Sequence, residues 1–189
     1  MKLIAFYGPS DSGKTWMIER LVRLWTSRGL RVGVVKHCSK GYQLDREGKD
    51  SSRFWEGGAA AVAIVGPGEW AVRRRETEAD PVRIAQEAFP AGIDVAIVEG
   101  FRDAAIPRVR IFGASELPSI VAGDPTLIAA VARTPVASTG LPMFALTDAQ
   151  GLSDFLARHL GLELQAPPAH ETTLLRHERA GARSTRRSG

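Results

Sequence analysis

Gly8-Pro9-Ser10-Asp11-Ser12-Gly13-Lys14-Thr15 is where residue types and spacing point most directly to chemistry. The pattern is G-x-x-x-x-G-K-[ST], the phosphate-binding loop or Walker A motif. A triphosphate needs many donors at close range. Gly8 and Gly13 lack Cβ, so the backbone can turn tightly and aim its N–H groups at phosphate. Pro9, Ser10, Asp11 and Ser12 fill the loop between them. Lys14 is expected to reach the β- and γ-phosphates, and the Thr15 hydroxyl to ligate Mg²⁺. Mg²⁺ keeps several waters, so one hydroxyl and one carboxylate from the protein suffice.

The flanking elements must hold this loop. Lys2 to Tyr7 is a short apolar run that reads as a strand. Lys14 to Arg28 reads as a helix, with Ile18, Leu21, Val22 and Trp25 on one buried stripe and Gly29 as its C-terminal cap. The helix would add its free N–H groups and positive dipole end to the loop. Arg31 to Lys36 reads as a second strand, expected to complete a βαβ unit with a parallel pairing.

A metal–phosphate site also needs an acid, normally at the end of a buried strand beside the first. Ile93 to Val98 is the dense apolar run that fits, and it ends in Glu99-Gly100-Phe101. Asp94 begins that strand and should lie remote from the phosphates. Glu99 ends it, on the carboxyl edge where open α/β sheets bind ligands. Glu99 is therefore the expected metal-side acid, and Gly100 allows close backbone approach to the γ-phosphate. The aperiodic stretch from His37 to Gly48 leaves the same edge and has the length of a functional loop. Asp45 or Asp50 could hold Mg²⁺ through water. Lys36 and His37 could meet a phosphate or another anion. Trp16 and Trp55 read as packing residues.

The remaining pattern is that of an α/β chain. A short helix is expected at 49–56, with Asp50 or Ser51 near its start. Strands are expected at 60–65, 70–74, 108–112 and 119–122, with a short apolar piece at 143–146. Helices are expected at 80–89 and 148–160, the last capped by Asp148. The fold class that follows is a three-layer P-loop NTPase fold. Its sheet is mostly parallel, with helices on both faces and some antiparallel edge strands.

Composition narrows the partners. The chain has 189 residues, 44% of them apolar, enough for one core. Residues 1–164 read as a single nucleotide-binding domain. No run approaches the ~20 apolar residues of a membrane span. A single cysteine, Cys38, excludes an internal disulfide and fits a reducing cytoplasm. The net charge is +4. Five arginines and two glutamates place +3 of it in residues 165–189, leaving +1 for residues 1–164. The basic balance thus belongs to a polar tail, expected to be disordered. It is no argument for a nucleic-acid-binding domain.

The phosphate loop at position 8, Lys36-His37, Gly48-Lys49-Asp50-Ser51 with Arg53, Gly57-Gly58-Ala59 and Val98-Glu99-Gly100-Phe101 occur in one order. This set resembles the MobB family of molybdopterin-guanine dinucleotide biosynthesis adaptor proteins. The resemblance covers residues 1–112 well and 113–160 loosely. It implies a GTP-binding homodimer with slow Mg²⁺-dependent hydrolysis. Such a protein would assist a MobA-type nucleotidyltransferase in attaching GMP to molybdopterin. The family's phosphate residues fall on Gly8, Ser12, Gly13, Lys14 and Thr15. Its metal-side acids fall on Asp50 and Glu99, so Lys14, Glu99 and Asp50 form the expected catalytic set. The run His37-Cys38-Ser39-Lys40 lacks the further histidines common in the family. No N-K-x-D guanine-reading motif is present, which leaves Asp124 and Asp148 as candidates for the base.

Two other readings compete. A small P-loop kinase acting on a metabolite with ATP would need a lid, for which Arg73-Arg74-Arg75 is the available run. The arginine-rich tail could bind nucleic acid non-specifically, but this is not expected to be the main function.

Overall fold

A computed structural model of the chain describes residues 1–44, 48–116, 123–135 and 140–166. It divides into two compact units, residues 1–36 with 81–189 and residues 37–80. The expected strand at 119–122 and the tail from residue 167 lie outside the described residues, as does Asp45.

The larger unit is built on a six-stranded, all-parallel sheet. Its strands are β1 (Lys2–Tyr7), β2 (Val32–Lys36), β5 (Val95–Glu99), β6 (Arg108–Ile111), β7 (Leu127–Ala132) and β8 (Met143–Ala145). Their order is β2-β5-β1-β6-β7-β8. Helices α1 (Lys14–Thr26) and α4 (Ala149–Leu160) cover one face. Helix α3 (Pro81–Ala88) covers part of the other. The alternation of strand side chains explains the two cores. Ile4, Phe6, Val95, Ile97, Val109, Ile111, Ala129 and Val131 pack against α1 and α4. Ala5, Ala96 and Val98 pack towards α3. Every residue of β5 is buried, as a central parallel strand requires.

The βαβ expectation needs a correction. β2 pairs with β5, not with β1. β5 inserts between them and pairs with β1 from Lys2↔Val95 to Phe6↔Glu99. The reason is burial: a strand buried on both faces belongs at the centre, whereas Val34 and Lys36 leave β2 half exposed at the edge. This insertion brings Glu99 beside the strand that carries the phosphate loop.

The first helix also differs in detail. Met17 joins Ile18, Leu21 and Trp25 in the buried set, and Val22 is only partly covered. Trp25 is fully buried and donates from Nε1 to Ser153 Oγ of α4 at 3.0 Å, which ties the two helices. Trp16 is not a core residue: it is exposed, with the Arg20 guanidinium over its ring. The α4 cap is as expected, Asp148 accepting from Gly151 N. Beyond α4, Gln165 N donates to Arg28 O and Arg28 Nε donates to Gln165 O.

The smaller unit contains α2 (Asp50–Glu56) and the antiparallel pair β3 (Ala61–Gly66) and β4 (Glu69–Arg74). The antiparallel strands therefore form their own two-stranded sheet instead of edging the main one. The guanidinium groups of Arg73 and Arg75 both lie over the Trp55 ring, at 4.0 and 4.2 Å. α2 starts without a side-chain cap, and Asp50 sits in its first turn.

Candidate functional site

The phosphate loop joins the end of β1 to the start of α1. Gly8 is pressed against the neighbouring strand: a Cβ there would lie 2.0 Å from the Ile111 carbonyl oxygen. Gly13 precedes the helix at φ 95°, a left-handed conformation that favours glycine, and Asp11 also has positive φ at 58°. These turns wind the loop back on itself, a backbone form that can aim N–H groups at an anion. Ser12 Oγ is buried in it with no hydrogen-bond partner. Lys14 Nζ folds back and donates to Pro9 O of its own loop at 2.5 Å. An orphaned buried hydroxyl and a self-bound lysine are what a phosphate group would satisfy.

Thr15 and Glu99 are brought together as expected. Thr15 Oγ1 lies 3.0 and 3.2 Å from the two Glu99 carboxylate oxygens. Glu99 is buried at the carboxyl end of β5. Lys36 Nζ stands 3.4 Å from Glu99 Oε2, and the two residues are register partners across β2 and β5. Gly100 turns the chain at φ 99° and donates its N–H to Phe6 O. A hydroxyl beside a buried carboxylate is a hard-oxygen pair suited to Mg²⁺ completed by water and phosphate. Among the described residues no group of three or more His, Cys, Asp or Glu side chains could hold a metal by itself.

His37 and Asp50 belong to the smaller unit. The Asp50 carboxylate is exposed and lies 3.8 Å from Arg53 of the same helix. Asp94 sits at the amino end of β5, accepting from Arg31 N, as its position in the strand predicts. Of the two acids considered for the base, Asp124 precedes β7 and so stands at the amino edge of the sheet. It accepts from Thr126 Oγ1 and N at 2.6 and 3.0 Å and pairs with Arg108. The Thr126 hydroxyl is the largest influence that lowers its pKa. Asp148 caps α4.

Sequence reasoning missed two neighbours of the loop. The segment after β6 flanks it: a Cβ on Gly113 would come within 3.2 Å of Pro9 Cγ. Glu116 accepts from Gly113 N at 3.0 Å and pairs with Arg110. The Gly113 N–H, with Arg110 adding to it, holds the Glu116 carboxyl below its ordinary 4.5, against the opposing effect of desolvation. The Leu146 methyl groups lie against Gly13, 3.0 Å from where a Cβ would be. Nothing in the spacing of Glu116 marked it. Leu146 could have been found by following the run Met143-Phe-Ala-Leu146 as a strand leaving the same edge.

Known proteins align with this chain along most of its length. A family model described as molybdopterin guanine dinucleotide synthesis protein B matches residues 3–133. The molybdopterin-guanine dinucleotide biosynthesis adapter protein of Escherichia coli (strain K12) is 30% identical over 159 residues, covering 82% of this chain and 90% of that protein. The crystal structure of Bacillus subtilis MobB superposes with a TM-score of 0.67 at 28% identity, over 85% of this chain and 98% of that one. A MobB homologue from Bacillus stearothermophilus shares the fold, with a TM-score of 0.63 at 21% identity over 86% of this chain and all of that one.

Proposed function

The chain belongs to the MobB family, the molybdopterin guanine dinucleotide synthesis proteins, and from that premise we propose that it is a GTP-binding adapter. GTP and Mg²⁺ are its proposed ligands. The observation that carries this reading is the loop itself: Ser12 Oγ is buried without a partner, and Lys14 is folded onto Pro9 O. Ser12, Lys14 and the loop N–H groups from Gly8 to Thr15 would hold the phosphates. Thr15 and Glu99 would hold Mg²⁺, and the metal would neutralise charge on the phosphates. Glu99 is already engaged by Thr15 and Lys36, which favours metal positioning over proton abstraction as its role. Hydrolysis in such a site is proposed to be slow and adjunct to binding. For Asp50 and His37 the reading rests on the family resemblance alone.

The proposed partner is a MobA-type nucleotidyltransferase acting on molybdopterin. The test is transfer of GMP to molybdopterin by that enzyme, with and without this protein. The wild type should accelerate transfer at limiting GTP and the Lys14→Ala variant should not. Equal effects of the two would contradict the reading, and so would no effect of the wild type.

A homodimer is proposed on a separate observation. In the hairpin, Ala63↔Val72 and Val65↔Trp70 are opposed pairs, so their side chains share one face. Val65 is 80% exposed and Trp70 67%. A two-stranded sheet is marginal alone, and an apolar face of this kind marks an interaction site.

A further inference from the structure

The family reading leaves the guanine base without a recognised partner. The structure narrows where the base would lie. Glu99 and Thr15, the residues that would hold Mg²⁺, meet on the β5 side of the phosphate loop. Mg²⁺ held there would neutralise the terminal phosphates of GTP, so those phosphates would lie on that side. The α-phosphate and nucleoside must then leave over the opposite neighbours of β1, the carboxyl ends of β6, β7 and β8.

That side carries a continuous wall. Leu146 packs on Gly13 of the loop, and its N–H donates to Ala132 O at 2.9 Å. Ala132 ends β7 and is level with Ala145 at the end of β8. Arg133 is the next residue. It is exposed, and its guanidinium has no hydrogen-bond or ion-pair partner among the described residues. β7 is two strands from β1, roughly 10 Å away at ordinary strand spacing. That is the span a ribose and its α-phosphate must cover.

We propose that Arg133 reads the guanine base, its guanidinium donating to O6 and N7. This rests on the reading of the chain as a GTP-binding protein. A guanidinium offers two parallel N–H donors in one plane, and guanine presents two acceptors, O6 and N7, on one edge. Adenine keeps N7 but places an amino donor at position 6, so it faces the same arginine with like against like. The two acids that could have read the other edge of guanine are already engaged, Asp124 at the opposite sheet edge and Asp148 in its helix cap. Recognition through O6 and N7 needs no carboxylate, which agrees with the missing N-K-x-D pattern.

Equilibrium titration of the full-length protein with GTP, ITP, 7-deaza-GTP and ATP, in Mg²⁺, tests this. Inosine keeps O6 and N7 and lacks the 2-amino group; 7-deazaguanine lacks N7. The wild type should bind GTP and ITP alike, and ATP on the order of tenfold more weakly or worse. It should bind 7-deaza-GTP at an intermediate level. Arg133→Ala should bind GTP as weakly as ATP, lose the 7-deaza effect and leave ATP affinity unchanged. Arg133→Lys should recover only part of the preference, because a lysine cannot make both bonds in one plane. The Arg133 guanidinium is exposed and without a hydrogen-bond or ion-pair partner among the described residues, so the melting temperature without nucleotide should be unchanged. If the wild type prefers GTP and Arg133→Ala keeps that preference, or loses GTP and ATP equally, the assignment of Arg133 is overturned while GTP binding stands. If the wild type binds GTP and ATP alike, or neither, the guanine reading falls and Arg133 with it.

Discussion

Lys36 and Glu99 face each other across the ends of two paired strands, ammonium to carboxylate at 3.4 Å, with the Thr15 hydroxyl on the same carboxylate. Glu99 is buried and Lys36 half exposed. A buried carboxylate needs a counter-charge. Without nucleotide, Lys36 provides one; with nucleotide, Mg²⁺ would provide a stronger one. Lys36 and Mg²⁺ should therefore compete for Glu99. In Lys36→Met the Mg²⁺ concentration for half-maximal GTP binding should fall by about fivefold, the factor expected of one exposed charge at ~4 Å. The melting temperature without ligands should fall as well. A Mg²⁺ titration of nucleotide binding checks both. A raised Mg²⁺ requirement would make Lys36 a phosphate ligand instead, as its place at the strand end suggested from sequence.

Gly8 tolerates no side chain. Its Cβ would stand 2.0 Å from the Ile111 carbonyl oxygen, which belongs to the backbone of a buried strand and cannot swing aside. Gly8→Ala should destabilise the fold by roughly 2 kcal/mol or more, within the range of strain and overpacking effects. Urea unfolding measures this. A change within about 0.5 kcal/mol would mean that the loop is free to move away from β6.

Acid should loosen the segment beside the phosphate loop. Glu116 has a folded-state pKa below its ordinary 4.5, through the Gly113 N–H first and Arg110 also. A carboxyl with a lowered folded pKa contributes stability that is present above its unfolded value and is lost as pH falls through the folded one. Wild-type melting temperature should therefore drop as pH is lowered below about 4.5. Glu116→Gln should start lower at neutral pH and show a shallower drop. The two proteins should converge in acid. Parallel curves across that range would show that Glu116 contributes nothing to this limb.

Much of the site was legible because its chemistry is local. The loop from Gly8 to Thr15 carries its own spacing. Glu99 could be placed by strand direction alone, since the last residue of a parallel strand beside β1 must reach the phosphate edge. The Asp148 cap was legible for the same local reason. What failed depended on distant partners. β5 enters between β1 and β2, and no neighbour in the chain announces that. β7 is an uninterrupted apolar run, Leu127 to Ala132, with no alternation to separate strand from buried helix. Trp16 reads as a packing residue by type but points away from the stripe formed by Met17, Ile18, Leu21 and Trp25. Arg133 has no spacing to mark it. Only the closure of β7 and β8 against Gly13 gives it a place.

The central claim is that the loop binds GTP with Mg²⁺, and nucleotide-dependent thermal stabilisation tests it most directly. The melting temperature should be measured with GTP, GDP and ATP, with and without Mg²⁺, in the wild type and in Lys14→Ala. Among the described residues the Lys14 side chain bonds only to Pro9 O of its own loop, so its loss should spare the fold. At 100 times its Kd, GTP with Mg²⁺ should stabilise the wild type by about 2.7 kcal/mol, a shift of a few degrees. ATP should give less, and Lys14→Ala should give none with any nucleotide. No shift in the wild type, or an equal shift in Lys14→Ala, would contradict the claim.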